Sequence, residues 1–120
     1  MKVTKKTMLL AALKRVTINA LTVDTDGNVK LQGDNLDGVS GFYEDDYLRF
    51  ISPTITKADG TSEAVNVAQD PAQPITDNWE GRCDSLRFAV GEQVTLSVEV
   101  DPAKPDYRQG TVTKTVTVTD

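Results

Sequence analysis

Val94-Thr95-Leu96-Ser97-Val98-Glu99-Val100 alternates apolar and polar residues without a break over seven positions. A period of two puts Val94, Leu96, Val98 and Val100 on one face of an extended strand and Thr95, Ser97 and Glu99 on the other, the pattern of a strand with one buried side. The loop Asp101-Pro102-Ala103-Lys104-Pro105-Asp106 follows, its prolines unable to donate to a ladder. Residues 111–119 then resume the alternation, setting Val112, Val116 and Val118 against threonines and Lys114.

The same grammar extends toward the N-terminus. Ile18, Ala20 or Leu21, and Val23 read as a strand; Thr25-Asp26-Gly27-Asn28 supplies a turn, and Val29-Lys30-Leu31-Gln32 returns, so residues 17–32 form a hairpin. Gly33-Asp34-Asn35-Leu36-Asp37-Gly38 is a polar break, and Gly41-Phe42-Tyr43-Glu44-Asp45-Asp46 reads as a short acidic loop. Tyr47-Leu48-Arg49-Phe50-Ile51 is the third strand, and Asp59-Gly60 turns the chain between strands at 54–57 and 63–67. Gln69-Asp70-Pro71-Ala72-Gln73-Pro74 is a loop and 75–79 pairs briefly. Glu80-Gly81-Arg82 is expected to turn the chain toward a further strand at Ser85-Leu86-Arg87-Phe88-Ala89-Val90. Seven or eight short strands at this spacing predict an all-β chain, a sandwich of two antiparallel sheets.

Composition agrees. Val, Ile and Thr number 14, 4 and 15, so 33 of 120 residues are β-branched and suit a pleated, half-buried surface. There is no histidine, which removes histidine-based triads, histidine zinc sites and imidazole pH switches. The single Cys83 removes an intrachain disulfide framework and a multi-cysteine metal knuckle. The expectation is a non-enzymatic chain with no cofactor and no metal.

Charge divides the chain in two. Residues 1–16 hold Lys2, Lys5, Lys6, Lys14 and Arg15 and no acid, a charge of +5; residues 17–120 hold eight bases against eighteen acids, or −10. A basic arm (1–16) therefore precedes an acidic body (17–120). Within the arm Leu9, Leu13 and Val16 recur at helical spacing with Met8 and Ala12 beside them, so it reads as a short amphipathic helix or an extended segment. Its charge suits an acidic partner or its own acidic body. The apolar run 8–13 is six residues long and closed by Lys14 and Arg15, too short for a signal peptide, and no stretch reaches the roughly twenty apolar residues of a membrane span. Synthesis in the cytoplasm is expected.

Few residues offer chemistry. Asp24-Thr25-Asp26-Gly27-Asn28 resembles a calcium loop, but counting from Asp24 the glycine position holds Val29 and the twelfth holds Asn35, so a hairpin turn is the better reading. Glu44-Asp45-Asp46, with Asp34 and Asp37, offers paired carboxylates, yet acids flanked by Phe42, Tyr43 and Tyr47 read better as a loop surface that contacts a partner. Cys83 has no histidine to act as its base, and Trp79 is expected to pack in the core or at a sheet edge. No phosphate-cradling glycine loop or aromatic RNA-binding set is present, and the −10 body disfavours nucleic acid.

The block Gly27-Asn28-Val29-Lys30-Leu31-Gln32-Gly33-Asp34-Asn35-Leu36 resembles the opening hairpin of immunoglobulin-like domains of the IPT/TIG type. The later order of Leu48-Arg49-Phe50, Leu86-Arg87-Phe88, then residues 91–100 and a final strand, is similar to immunoglobulin-like domains that follow HU-type domains in gut bacteria and to those carried by phage particles. Residues 1–16 are too few for a DNA-binding domain. The resemblance implies an immunoglobulin-like sandwich over 17–120 and a structural role on a phage particle, as capsid decoration or tail accessory. The arm residues Lys5, Lys6, Met8, Leu9, Leu13, Lys14 and Arg15 would then dock on the larger assembly. The alternative is a module or inhibitor that binds protein or carbohydrate through Phe42, Tyr43 and Tyr47. Threonine-faced terminal strands leave an edge that pairs, so a homo-oligomer or incorporation into an assembly is expected.

Overall fold

The computed structural model describes residues 13–50, 53–73 and 75–120. Within them the chain is all-β, with ten strands and a 3₁₀ turn at Leu36–Gly38. The strands are β1 (Thr17–Val23), β2 (Asn28–Asp34), β3 (Gly41–Glu44), β4 (Tyr47–Phe50), β5 (Thr54–Lys57), β6 (Ser62–Ala64), β7 (Ala68–Gln69), β8 (Asn78–Arg82), β9 (Gln93–Glu99) and β10 (Thr111–Thr117). They form three antiparallel sheets, ordered β1-β2-β8, β10-β9-β5-β6 and β3-β4-β7.

The alternation read in the sequence becomes the core. In β9 Val94, Leu96 and Val98 are buried, and in β2 Val29 and Leu31 are. With Trp79 of β8, Ile55 of β5 and Val23 of β1 they join one continuous cluster, so the first two sheets face each other as in a β-sandwich. Phe50 carries the third sheet into this core, its ring 4.2 Å from that of Trp79 and tilted by 34°. Trp79 is thus a core residue, anchored by its indole N–H donating to the Ile75 carbonyl at 2.7 Å.

The first hairpin closes as expected. The Asp24 carboxylate accepts the backbone N–H of Asp26 and of Asn28 and the side-chain amide of Asn28 at 2.9–3.0 Å. The Asn28 amide, more than any other group, holds that carboxyl below its ordinary range. Asp24 thereby spends its oxygens on the turn.

The strand expected at 63–67 is Ser62–Ala64 followed by a separate strand at Ala68–Gln69, and three further stretches depart from the sequence reading. Gly41–Glu44 is a strand paired with β4, not a loop, because Asp45 and Asp46 make a two-residue turn with positive φ (50° and 66°), the hand that matches strand twist. Glu80-Gly81-Arg82 continues β8 in the β2 ladder instead of turning. Residues 85–90 form no strand: the Glu63 carboxylate takes the N–H groups of Ser85 and Leu86, and the Arg87 guanidinium takes the Cys83 and Leu86 carbonyls. Side chains there satisfy the backbone that a ladder otherwise would. Of the basic arm, residues 1–12 lie outside the described residues, and 13–16 contain no helical turn.

β1 meets β2 with an irregular register between Ile18 and Ala20. Beside it a Cβ on Gly33 would stand 1.8 Å from the Thr17 carbonyl oxygen, so the two backbones touch where a side chain has no room. Gly33→Ala is expected to lower unfolding free energy by about 1–3 kcal/mol. Urea denaturation of the variant against the parent checks it, and equal midpoints would exclude so close a contact.

Candidate interaction site at one end of the sandwich

The foot of the arm is built into the body. Lys14 donates its N–H to the Asp106 carbonyl at 3.1 Å and accepts from Arg108 N–H at 2.7 Å, a parallel bridge to the loop between β9 and β10. The Asn35 side-chain amide donates to the Arg15 carbonyl at 2.8 Å, and Val16 is buried. Tyr107 organises this contact. Its hydroxyl donates to the Asp37 carboxylate at 2.7 Å, its ring lies under the Lys14 ammonium at 5.2 Å, and the Lys104 ammonium donates to the Asp37 carbonyl. Gly38 lets the ring lie flat on the chain, since a Cβ there would be 2.4 Å from the ring. Burial first, then the hydrogen bond to Asp37, pushes the Tyr107 phenol well above its usual range. The hydroxyl therefore stays a donor across the physiological range.

The same end roots the β3–β4 hairpin. Ser40 N–H donates to the Glu99 carbonyl at 3.0 Å and Asp101 N–H to the Gly38 carbonyl at 2.8 Å, so the connection from β2 to β3 is tied to the end of β9. Register places Glu44 opposite Tyr47 and Tyr43 opposite Leu48. Leu48 packs toward the core, whereas Tyr43 and Tyr47 are 71% and 52% exposed. The Arg49 guanidinium stands 3.8 Å from the Glu44 carboxylate. Two exposed phenols and the acids Glu44, Asp45 and Asp46 thus crown the β3–β4 hairpin, a surface suited to contact.

Among the residues singled out from sequence, Lys14 and Arg15 are exposed and Leu13 half-buried at the arm's foot, and Tyr43 and Tyr47 are exposed on the hairpin. Lys5, Lys6, Met8 and Leu9 lie outside the described residues, as does the side chain of Phe42. Both groups spring from one end of the molecule, joined through residues 35–40 and the β9–β10 loop. Sequence reasoning missed Tyr107 and Asn35, and it weighed Asp37 only as a carboxylate beside Glu44, not as the partner of Tyr107. The available signal was an aromatic residue in an otherwise polar, proline-bounded loop, a setting where a large apolar ring needs cover.

Among the described residues no group of three or more His, Cys, Asp or Glu side chains stands together as a metal site. No helix among them is long and apolar enough to cross a membrane. Compared with protein-family models, curated proteins and solved structures, the chain matches none.

Cys83 is fully buried beneath the first hairpin, its N–H donating to the Gly27 carbonyl. Burial, helped by the Glu63 charge, pushes its thiol up to about 11 from 9.0. A thiol whose folded pKa is raised favours the fold below its unfolded pKa, and that contribution is lost as pH climbs toward about 11. At pH 8 a disulfide reagent is expected to label native Cys83 about a hundredfold more slowly than the urea-unfolded chain, or slower still. Equal rates would show an accessible thiolate.

Proposed function

We propose that the chain is a non-enzymatic structural module: an immunoglobulin-like sandwich whose basic N-terminal arm docks on a larger particle, in the manner of a phage capsid decoration or tail accessory protein. The observation that carries this reading is the locked foot of the arm, where Lys14, Arg15 and Val16 are held by Asp106, Arg108 and Asn35. Residues 1–16 carry +5 against −10 on residues 17–120, so an engaged arm displays the acidic body. Strand order supports the immunoglobulin-like part. With β1, β2 and β8 taken as strands A, B and E, and β5, β9 and β10 as C, F and G, the orders β1-β2-β8 and β5-β9-β10 are those of that sandwich. The β3–β4 hairpin then elaborates the B–C connection.

Because Val16 is a core residue, the arm to remove is 1–12, not 1–16. Deletion of 1–12, or Lys5→Glu with Lys6→Glu, is expected to abolish co-sedimentation with the particle while far-UV circular dichroism stays that of the β-fold. Undiminished co-sedimentation of the truncated chain would sink the reading. The exposure of Tyr43 and Tyr47 favours a second reading, a module that binds protein or carbohydrate through the hairpin. There, Tyr43→Ala with Tyr47→Ala would remove binding and the arm deletion would not.

A further inference from the structure

β7 and β8 begin a ladder that they do not finish. β8 bonds to β2 through its odd-numbered residues, as the rungs from Gly33 N–H to the Asp77 carbonyl and from Cys83 N–H to the Gly27 carbonyl show. Asn78, Glu80 and Arg82 therefore turn their backbone groups outward. Arg82 uses both of its own with Asn66, at 3.0 and 3.2 Å. On the facing chain Val67 and Gln69 bond to β4, so Ala68 points toward β8 as Asn66 does. The next rung in this register joins Ala68 to Glu80, but no bond links them, and the strands part around a cleft of about 380 Å³.

The cleft is lined by more than bare backbone. Val67, Ile75 and Trp79 give it apolar walls, with Ile75 48% exposed. Gln69 also lines it and is 5% exposed; its Oε1 accepts Ile75 N–H at 2.8 Å, while Nε2 is buried without an acceptor among the described residues. Asp70, Asp77 and Glu80 are exposed around this margin, and Lys30 faces Glu80 across the β2–β8 ladder without an ion pair. Outward N–H and C=O groups at every second residue match an extended backbone, the apolar walls match aliphatic side chains, Nε2 matches a carbonyl, and the carboxylates match lysines.

We propose that this fork receives the N-terminal segment of a second copy of the chain as an added strand. Lys2, Lys5 and Lys6 would meet the acidic margin, Val3, Met8 or Leu9 the apolar walls, and a backbone carbonyl the Gln69 amide. Twelve residues reach about 40 Å when extended, enough to span from one body to the next. The chain's own arm is anchored at Arg15 by the Asn35 amide, and insertion of that arm into its own fork is the outcome that a concentration-independent Trp79 signal would report. Arm into fork is a head-to-tail contact that builds rings or rows. The proposal rests on the arm being the docking element and names what it docks on.

The test is sedimentation velocity of the full chain at low salt, up to about 1 mM, with the fluorescence of Trp79, the only tryptophan, as local reporter. The parent chain is expected to self-associate, less so as salt rises, with a change in Trp79 emission. Lys5→Glu with Lys6→Glu, and Glu80→Lys alone, should each weaken association at least tenfold, and the three together should restore it. Glu80 is exposed, and circular dichroism checks the fold of every variant. A chain monomeric throughout, or a Trp79 signal that is arm-dependent but independent of concentration, overturns the proposal. Association lost with the arm charges but unchanged by Glu80→Lys overturns the fork alone and leaves the arm reading standing; co-sedimentation with the particle decides that reading separately.

Discussion

Val29, Leu31 and Trp79 on one sheet face Ile55, Val94, Leu96 and Val98 on the other at the centre of one buried cluster. No disulfide joins these layers, so the fold rests on that apolar contact. Everything outside it is positioned by it. Val16 and Val100 sit in the same cluster and bring with them the arm's foot and the β9–β10 loop, and Val39 brings the start of the hairpin. A surface made of exposed polar residues is thereby held by buried valines a few positions away. This is how a small domain presents binding groups without rigidity of their own.

The parts legible in the sequence were those in which one strand has one wet face. β2, β9 and β10 alternate residue by residue, and their extents follow from the alternation. The first turn was legible because Asp24, Gly27 and Asn28 carry its chemistry locally. The Gly41–Phe50 hairpin was obscured because its turn is Asp45-Asp46, a pair that reads as a charged loop although aspartate tolerates the left-handed region. Residues 85–90 misled for the opposite reason: a strand-like composition is held irregular by Glu63, twenty-two residues away. Long-range side-chain capping leaves no local trace.

The site was half legible. Charge counting separated a basic arm from an acidic body, and the aromatic content of 42–47 marked the hairpin. What joins them, Tyr107 reaching Asp37 across seventy residues and Asn35 holding Arg15, is a fact of topology. The fork between β7 and β8 is likewise invisible in sequence, since it consists of two strands in register that fail to close. Both features concern backbone and burial more than residue identity.

The central claim is that the arm's foot, Lys14 to Val16, belongs to the folded body. Amide hydrogen exchange of the full chain, read by NMR, tests this most directly at Lys14 and Arg108, whose N–H groups bond across the bridge. The account predicts both amides protected, and Tyr107→Phe releasing them while β9 stays slow. Exchange at Lys14 and Arg108 as fast as in an unstructured peptide, with β9 fully protected, would contradict it.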